Sequence, residues 1–259
     1  DHGKLSTLTY FARNFEVKDS IIVFEDTRFN SINAYYNDSS YMLTTLMGEL
    51  EMPMAIGENL VVFKDNGNMY KTFWNGGFYE IDVWNNQPNI DFQIGTDVLC
   101  FNDPTTQTFV VFDHGLFYDV EQLPMPKYRS GRGFIVYEDL SGNLWYYQNG
   151  EQFQLSNFSA DFWDVKDDIV VWSESSYFFS YCNGKKTQIE NFTPVQFKIK
   201  NDVLVYQNIL GGVNAFVKGK KYELTNQLDS QFEIYGDRVL VKMFNNSFMV
   251  LENGKKYTN

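Results

Sequence analysis

Short runs of consecutive apolar residues return at a nearly fixed interval along this chain. They read Ile21-Ile22-Val23-Phe24, Leu60-Val61-Val62-Phe63, Val98-Leu99-Cys100-Phe101, Phe134-Ile135-Val136-Tyr137, Ile169-Val170-Val171-Trp172, Val203-Leu204-Val205-Tyr206 and Val239-Leu240-Val241. Their last residues lie 39, 38, 36, 35, 34 and 35 positions apart. Nine residues before each of those ends stands an aromatic or a methionine: Phe15, Met54, Phe92, Tyr128, Trp163, Phe197 and Phe232. An unbroken apolar run of this length, bounded by polar turns, predicts a strand covered on both faces.

A second pattern follows every run but the first. A glycine is followed three residues later by an aromatic or hydroxyl residue, as in Gly76 to Tyr79, Gly115 to Tyr118, Gly150 to Phe153, Gly184 to Thr187, Gly219 to Tyr222 and Gly254 to Tyr257. The residue before the glycine is Asn, His or Lys, and Asn-Gly predicts a two-residue hairpin because both positions accept positive φ. The fifth copy shows how one unit divides. Residues 162–165 form a first strand, 169–172 a second, 177–181 a third and 187–189 a fourth, separated by turn residues. No stretch carries helical periodicity with caps.

Each unit is too small to bury its own faces, and a fixed period in the range of roughly 20 to 50 residues marks a repeat architecture. We expect an all-β fold, a β-propeller of about seven four-stranded blades of roughly 35 residues, occupying 1–259 as one domain. A β-sandwich is disfavoured by the regular period, and an open solenoid by the hairpin in every copy. The segment His2 to Leu8 resembles the fourth-strand motif, while the last copy runs out at Asn259. We therefore expect the N-terminal strand to close the last blade.

In such a blade the first-to-second and third-to-fourth turns emerge on one side. These turns are short and polar, and three hairpin tips carry Lys185-Lys186, Lys220-Lys221 and Lys255-Lys256, which reads as a solvated surface. The opposite side is longer and more apolar. Its blade-to-blade connections include residues 46–52, Trp84, Leu123, Met125, Phe158, Phe192 and Leu228, and crossing segments of this kind are expected to pack on the next blade. Its loops add Phe29, Ile209, Leu210 and Phe244. Phe29, Trp84, Met125, Ile209, Leu210 and Phe244 are the candidate protein-interface residues, because apolar side chains gathered on one rim mark a protein contact.

Composition narrows the chemistry. The 259 residues are 44% hydrophobic, ample for a buried core, and carry 21 Lys and Arg against 33 Asp and Glu. A net charge of −12 disfavours nucleic acid, which needs clustered cations. No run reaches the roughly 18 apolar residues of a membrane helix, so direct membrane insertion is not expected. The first residues lack the apolar stretch of a signal peptide, which also fits a mature form. Cys100 and Cys182 fall at different repeat positions, so no disulfide is expected.

The only histidines are His2 and His114, and His114 replaces the asparagine of a hairpin. Zinc spacings and a Ser-His-Asp cluster are absent, and no metal or cofactor is expected. Asp65-Asn66-Gly67-Asn68 and the Asp139 to Asn143 segment look calcium-like but lack the distal Glu of an EF-hand loop, and both read as turns. Asp26, Asp65, Asp103, Glu138 and Asp139 recur in the apolar-side loops. They leave open an alternative, a propeller enzyme or carbohydrate binder that uses carboxylates around a central channel.

In its glycine motif and apolar second strand, the whole chain resembles β-propeller repeats of the TolB-like and WD-like kind, without the Trp-Asp and Gly-His signatures of true WD repeats. Its Asn-, Tyr- and Phe-rich style with Asn-Gly-Lys-Lys hairpins resembles Bacteroidetes envelope proteins, and among those the periplasmic plug subunits of type 9 secretion translocons. That resemblance implies a non-enzymatic periplasmic protein, peripheral to the outer membrane, whose protein partner is a large outer-membrane barrel that it plugs.

Overall fold

The computed structural model describes residues 7–45, 55–83, 90–244 and 246–258. Three expectations touch positions outside these: the strand at residues 2–8, of which 2–6 are not described, the connection at 46–52, and Trp84. Every described regular element is a β-strand, and the strands form seven four-stranded sheets in which neighbours follow chain order.

Sheet 1 holds β1 (Ala12–Val17), β2 (Ile21–Asp26), β3 (Ser31–Tyr36) and β4 (Ser39–Thr45). Sheet 2 holds β5 (Ala55–Ile56), β6 (Leu60–Lys64), β7 (Tyr70–Trp74) and β8 (Gly77–Ile81). Sheet 3 holds β9 (Gln93–Ile94), β10 (Val98–Asp103), β11 (Thr108–Asp113) and β12 (Leu116–Glu121). Sheet 4 holds β13 (Lys127–Ser130), β14 (Ile135–Glu138), β15 (Leu144–Gln148) and β16 (Glu151–Gln154). Sheet 5 holds β17 (Phe162–Lys166), β18 (Ile169–Glu174), β19 (Tyr177–Cys182) and β20 (Lys185–Glu190). Sheet 6 holds β21 (Phe197–Lys200), β22 (Val203–Gln207), β23 (Val213–Val217) and β24 (Lys220–Thr225). Sheet 7 holds β25 (Gln231–Tyr235), β26 (Arg238–Lys242), β27 (Phe248–Glu252) and β28 (Lys255–Thr258). The chain divides into two compact units, residues 1–135 and 136–259, with the division inside β14.

The second strand of each sheet is the apolar run of the sequence, and in sheets 2 to 6 it is covered on both faces. Ile169, Val170, Val171 and Trp172 of β18 are all fully buried. The core lies between sheets: Ile21, Val23, Ile32, Ala34 and Leu43 of sheet 1 meet Val61, Phe63 and Phe73 of sheet 2. Similar clusters join sheets 2 and 3, 5 and 6, and 6 and 7. The hairpins turn as their sequences require, with Asn75 and Gly76 at φ 48° and 76° and Asn253 and Gly254 at 49° and 73°.

One expectation about the chain ends is corrected. Among the described residues sheet 7 draws all four of its strands from its own repeat, and β28 pairs with β27 from Met249 opposite Thr258 to Glu252 opposite Lys255. The fourth strand forms without the terminal aliphatic residue because its ladder is made by backbone groups and needs no particular side chain.

The glycine motif also has a use beyond the turn. At three junctions the hydroxyl end of the tyrosine at this motif position lies against the glycine of the next hairpin. A Cβ on Gly115 would sit 3.2 Å from the Tyr79 hydroxyl, and one on Gly254 would sit 2.9 Å from that of Tyr222. In sheet 1 the tyrosine at this position, Tyr41, meets Gly76 at 3.0 Å. At these three junctions the motif fits one repeat to its successor.

The lysine-tipped face is exposed, as expected, and its lysines also hold neighbouring sheets. The second lysine of each pair reaches the preceding sheet. Lys186 Nζ donates to the Leu155 carbonyl at 2.7 Å, Lys221 Nζ lies 2.5 Å from Glu190 Oε1, and Lys256 Nζ donates to the Glu223 carbonyl at 2.5 Å. The polar turns beside them are tied in the same way. Asn59 and Asp97 exchange two hydrogen bonds of 2.6 and 2.9 Å, and Asp202 accepts the Asp168 N–H at 2.9 Å. These polar groups bind neighbouring repeats together.

Candidate docking surface

The loop between β22 and β23 owes its shape to Asn208. Its Oδ1 accepts the N–H groups of Leu210 and Gly212, each at 3.0 Å, while its carbonyl accepts the Gly211 N–H at 2.9 Å and its own N–H donates to the Gly212 carbonyl at 2.8 Å. A short side-chain amide closing onto the backbone two residues on is an Asx turn. It leaves Ile209 and Leu210 at the tip, 73% and 74% exposed.

Gly211 has φ +84°, and a Cβ there would sit 2.5 Å from Leu228 Cδ2, so its bare Cα is what lets Leu228 lie against the loop. Leu228, from the connection between β24 and β25, is itself 60% exposed. It lines a shallow depression with Gln227, Asp229 and Phe244. Phe244 caps the turn between β26 and β27, where Met243 N–H donates to the Ser247 carbonyl at 2.9 Å, and it is 79% exposed. Three separate segments therefore expose four large apolar side chains, with Leu228 lying against the Ile209–Leu210 loop at Gly211 and lining the depression with Phe244. Among the described residues of these segments, 208–212, 226–229 and 243–247, Asp229 is the only charged one.

The other sequence candidates fall elsewhere. Phe29 is exposed in the loop between β2 and β3, where the Arg28 guanidinium lies 4.8 Å from its ring centroid. Met125 is buried, not displayed: its N–H donates to Asn102 Oδ1 and its carbonyl accepts Asn102 Nδ2, both at 2.9 Å, which draws the connection down onto β10. Met125 is therefore corrected to a core position. Leu123, Phe158 and Leu228, in connections expected to pack on the next blade, are exposed instead. Glu174 explains Phe158, because its buried carboxylate accepts the N–H groups of Asn157 and Phe158 at 2.6 and 3.0 Å and fixes the backbone, leaving the ring outside. Sequence reading missed Val195, the most exposed large aliphatic among the described residues. The signal was Pro194 before it, whose buried ring anchors the connection and turns the next side chain out.

The carboxylates of the alternative reading each serve their own surroundings. Asp26 Oδ1 accepts the Arg28 N–H and its Oδ2 the Thr9 hydroxyl, both at 2.9 Å. Asp103 Oδ1 accepts the Thr105 N–H at 2.7 Å, and Glu138 Oε2 the Trp163 indole N–H at 2.8 Å. Asp65 and Asp139 repeat the Asn208 turn. Asp65 Oδ1 accepts from Gly67 and Met69, and Asp139 Oδ1 from Ser141 and Asn143, at 2.8 to 3.0 Å. Burial alone would raise both carboxyl pKa values. The Met69 and Gly67 N–H groups and the Lys71 ammonium outweigh it at Asp65, and Trp145, Asn143 and Ser141 at Asp139, so both lie below the ordinary value. Among the described residues no group of three His, Cys, Asp or Glu side chains is placed to hold a metal ion. Both cysteines are free thiols, and His114 sits in its hairpin with Nδ1 2.5 Å from Asp113 Oδ1.

No curated protein matches this chain. Among solved structures, it is similar to the computationally designed Ika8 protein, at 14% identity and a TM-score of 0.42 over 96% of this chain and 86% of that one. It is similar to Hsv2p of Kluyveromyces lactis at 9% identity, with a TM-score of 0.40 over 96% and 97%. A third similar structure is PorZ of Porphyromonas gingivalis, an essential bacterial surface component of the type-IX secretion system. There the identity is 6% and the TM-score 0.39, over 95% of this chain and 37% of that one. A family described as a 10-bladed beta propeller domain matches residues 1–257. Its ten blades overturn the expected seven-bladed propeller: the seven sheets are those of the described residues, and a period within a sequence counts the copies present without fixing the blade number of the architecture. With that match running across both compact units, the chain belongs to the 10-bladed β-propeller family.

Proposed function

We propose that this propeller is a non-enzymatic docking protein that binds a protein partner through the surface formed by Ile209, Leu210, Leu228 and Phe244. The observation that carries this reading is the convergence of exposed apolar side chains from three segments, with Gly211 left bare so that Leu228 fits against the loop. Exposed apolar groups that meet in one place favour a protein contact. The absence of Lys and Arg from the three segments themselves disfavours phosphate-bearing ligands, and the fixed Asn208 turn holds the loop tip ready. Carboxylates bound up in their own turns support a non-enzymatic role. The resemblance of the sequence to type 9 translocon plug subunits suggests the specific form of the reading: a periplasmic protein, peripheral to the outer membrane, docked on a large barrel.

The test is affinity capture from the envelope fraction of the native host, with mass spectrometry of what is retained. Ile209→Asp, Leu210→Asp and Phe244→Asp combined should abolish retention of the partner while the circular dichroism spectrum stays unchanged. Retention of the same partner at the same level by the triple variant would reject this surface. Capture of an outer-membrane barrel would support the translocon form, and capture of a different protein would replace it.

A further inference from the structure

Sheets 6 and 7 belong to one compact unit, and the turns at one end of their strands leave a pocket between them. At the preceding junction the corresponding turns are laced together: Asp202 Oδ1 accepts the Asp168 N–H at 2.9 Å, and Asp167 Oδ2 accepts the Asn201 N–H at 2.5 Å. The turn of sheet 7 reads Gly236-Asp237 instead, and among the described residues one side-chain bond crosses to it, from Asn201 Nδ2 to the Gly236 carbonyl at 2.7 Å. The space so opened has a volume of about 420 Å³, within the range of about 300–1,000 Å³ in which proteins hold small molecules. It stands at the opposite strand ends from the loops that carry Ile209, Leu210, Leu228 and Phe244, so it is no part of the docking surface.

The floor of the pocket is apolar. Val203 and Leu251 are core residues, and Val217 packs beside them. Its rim carries charge of both signs. Asp202 and Asp237 come from the two turns, Lys218 and Lys220 from the hairpin between β23 and β24. Among the described residues the Asp237 carboxylate and the Lys218 and Lys220 ammonium groups have no hydrogen bond or ion pair within the chain, unlike Lys221 and Lys256 nearby. Lys218 is also unusual as a turn residue. It holds φ 49°, the left-handed setting that Asn75, Asn149, Asn183 and Asn253 occupy in the matching hairpins, and asparagine tolerates that setting more readily than lysine. A strained residue kept beside a pocket points to a use for its side chain.

We propose that this pocket binds a free α-amino acid with an apolar side chain. A ligand of one charge would leave half of the rim unanswered. A zwitterion answers both halves: its ammonium meets Asp202 and Asp237, its carboxylate meets Lys218 and Lys220, and its side chain covers Val203, Val217 and Leu251. Charge-assisted hydrogen bonds of both signs then select the ligand.

Calorimetric titration of L-leucine into the full 259-residue chain tests this. Isocaproate and isoamylamine serve as probes that keep the branched chain and lack the ammonium or the carboxylate. Leucine should bind saturably, and each probe roughly tenfold more weakly or worse. Lys218→Asn restores the asparagine of the matching hairpins, so the fold is kept, and it should weaken leucine binding by about tenfold. Asp237→Asn, at an exposed position, should act in the same direction. No saturable binding of leucine overturns the proposal. Equal affinity for leucine and isocaproate overturns it in favour of a plain anion site, and leucine binding unchanged in both variants overturns the assignment to this pocket.

Discussion

Gly95 shows what a single missing atom does in this chain. A Cβ there would stand 2.0 Å from the carbonyl oxygen of Gly131, and one on Gly57 would meet the Gly95 carbonyl at 2.8 Å. These three glycines occupy the same turn in sheets 2, 3 and 4, and at Gly57 and Gly95 the next backbone approaches too closely for a side chain. Gly95→Ala forces backbone to move against backbone, so a loss of about 1–3 kcal/mol of stability is expected. A urea titration that finds the midpoint unmoved would contradict this. The thiols differ in the same residue-level way. Burial drives the Cys100 pKa far up, and raises that of Cys182 to about 11. At neutral pH a disulfide reagent should therefore modify Cys182 slowly and Cys100 only after unfolding. Rapid reaction of two thiols per folded chain would refute that.

Among the elements, the Asx-turn loops are the acid-sensitive ones. For Asp65 and Asp139 the folded pKa lies below the unfolded value of 3.8, so their contribution to stability is present in full above that value. It is lost as pH falls through 3.8 and then through the lower folded pKa. Asp139→Asn keeps a side-chain acceptor for Ser141 and Asn143 but removes the charge. Stability measured by denaturant between pH 2 and pH 5 should accordingly depend less steeply on pH in that variant, and identical slopes would rule the explanation out. The strand pattern itself was legible in the sequence, because runs such as Ile169 to Trp172 and turns such as Asn183-Gly184 are local signals. The bulges were not. In sheets 3, 5 and 6 the register between third and fourth strands slips after Phe109, Phe178 and Val213, each six residues before its hairpin glycine. A bulge is chosen by how an outer strand must twist beside its neighbour, which no residue type announces.

Across the molecule, cohesion between repeats comes from polar groups as well as from core. Lys186, Lys221 and Lys256 resemble solubility lysines in sequence because a hairpin tip gives no hint of how far a long side chain reaches back. Replacing all three by Met keeps their apolar stems and removes the bonds to Leu155, Glu190 and Glu223. Hydrogen bonds of this type contribute about 0.5–1.5 kcal/mol each and more when charged, so thermal unfolding should shift down by several degrees. An unchanged midpoint would show the lysines to be surface charges after all. The docking surface was half legible on the same grounds: Ile209, Leu210 and Phe244 stand at loop tips, where local sequence speaks. Leu228 and Met125 exchanged the expected environments because Gly211 and Asn102, distant in sequence, decide them.

The turn held by Asn208 bears on how fast a partner comes and goes. A loop already closed by two side-chain bonds and two backbone bonds has little freedom left to lose when it is covered. Ordering a mobile side chain on association costs about 0.5–1.5 kcal/mol, and here much of that loss has been taken during folding. Docking then requires no rearrangement of the loop, so encounter proceeds at the ordinary rate for rigid surfaces and the lifetime of the complex rests on how quickly water returns to Leu210, Leu228 and Phe244.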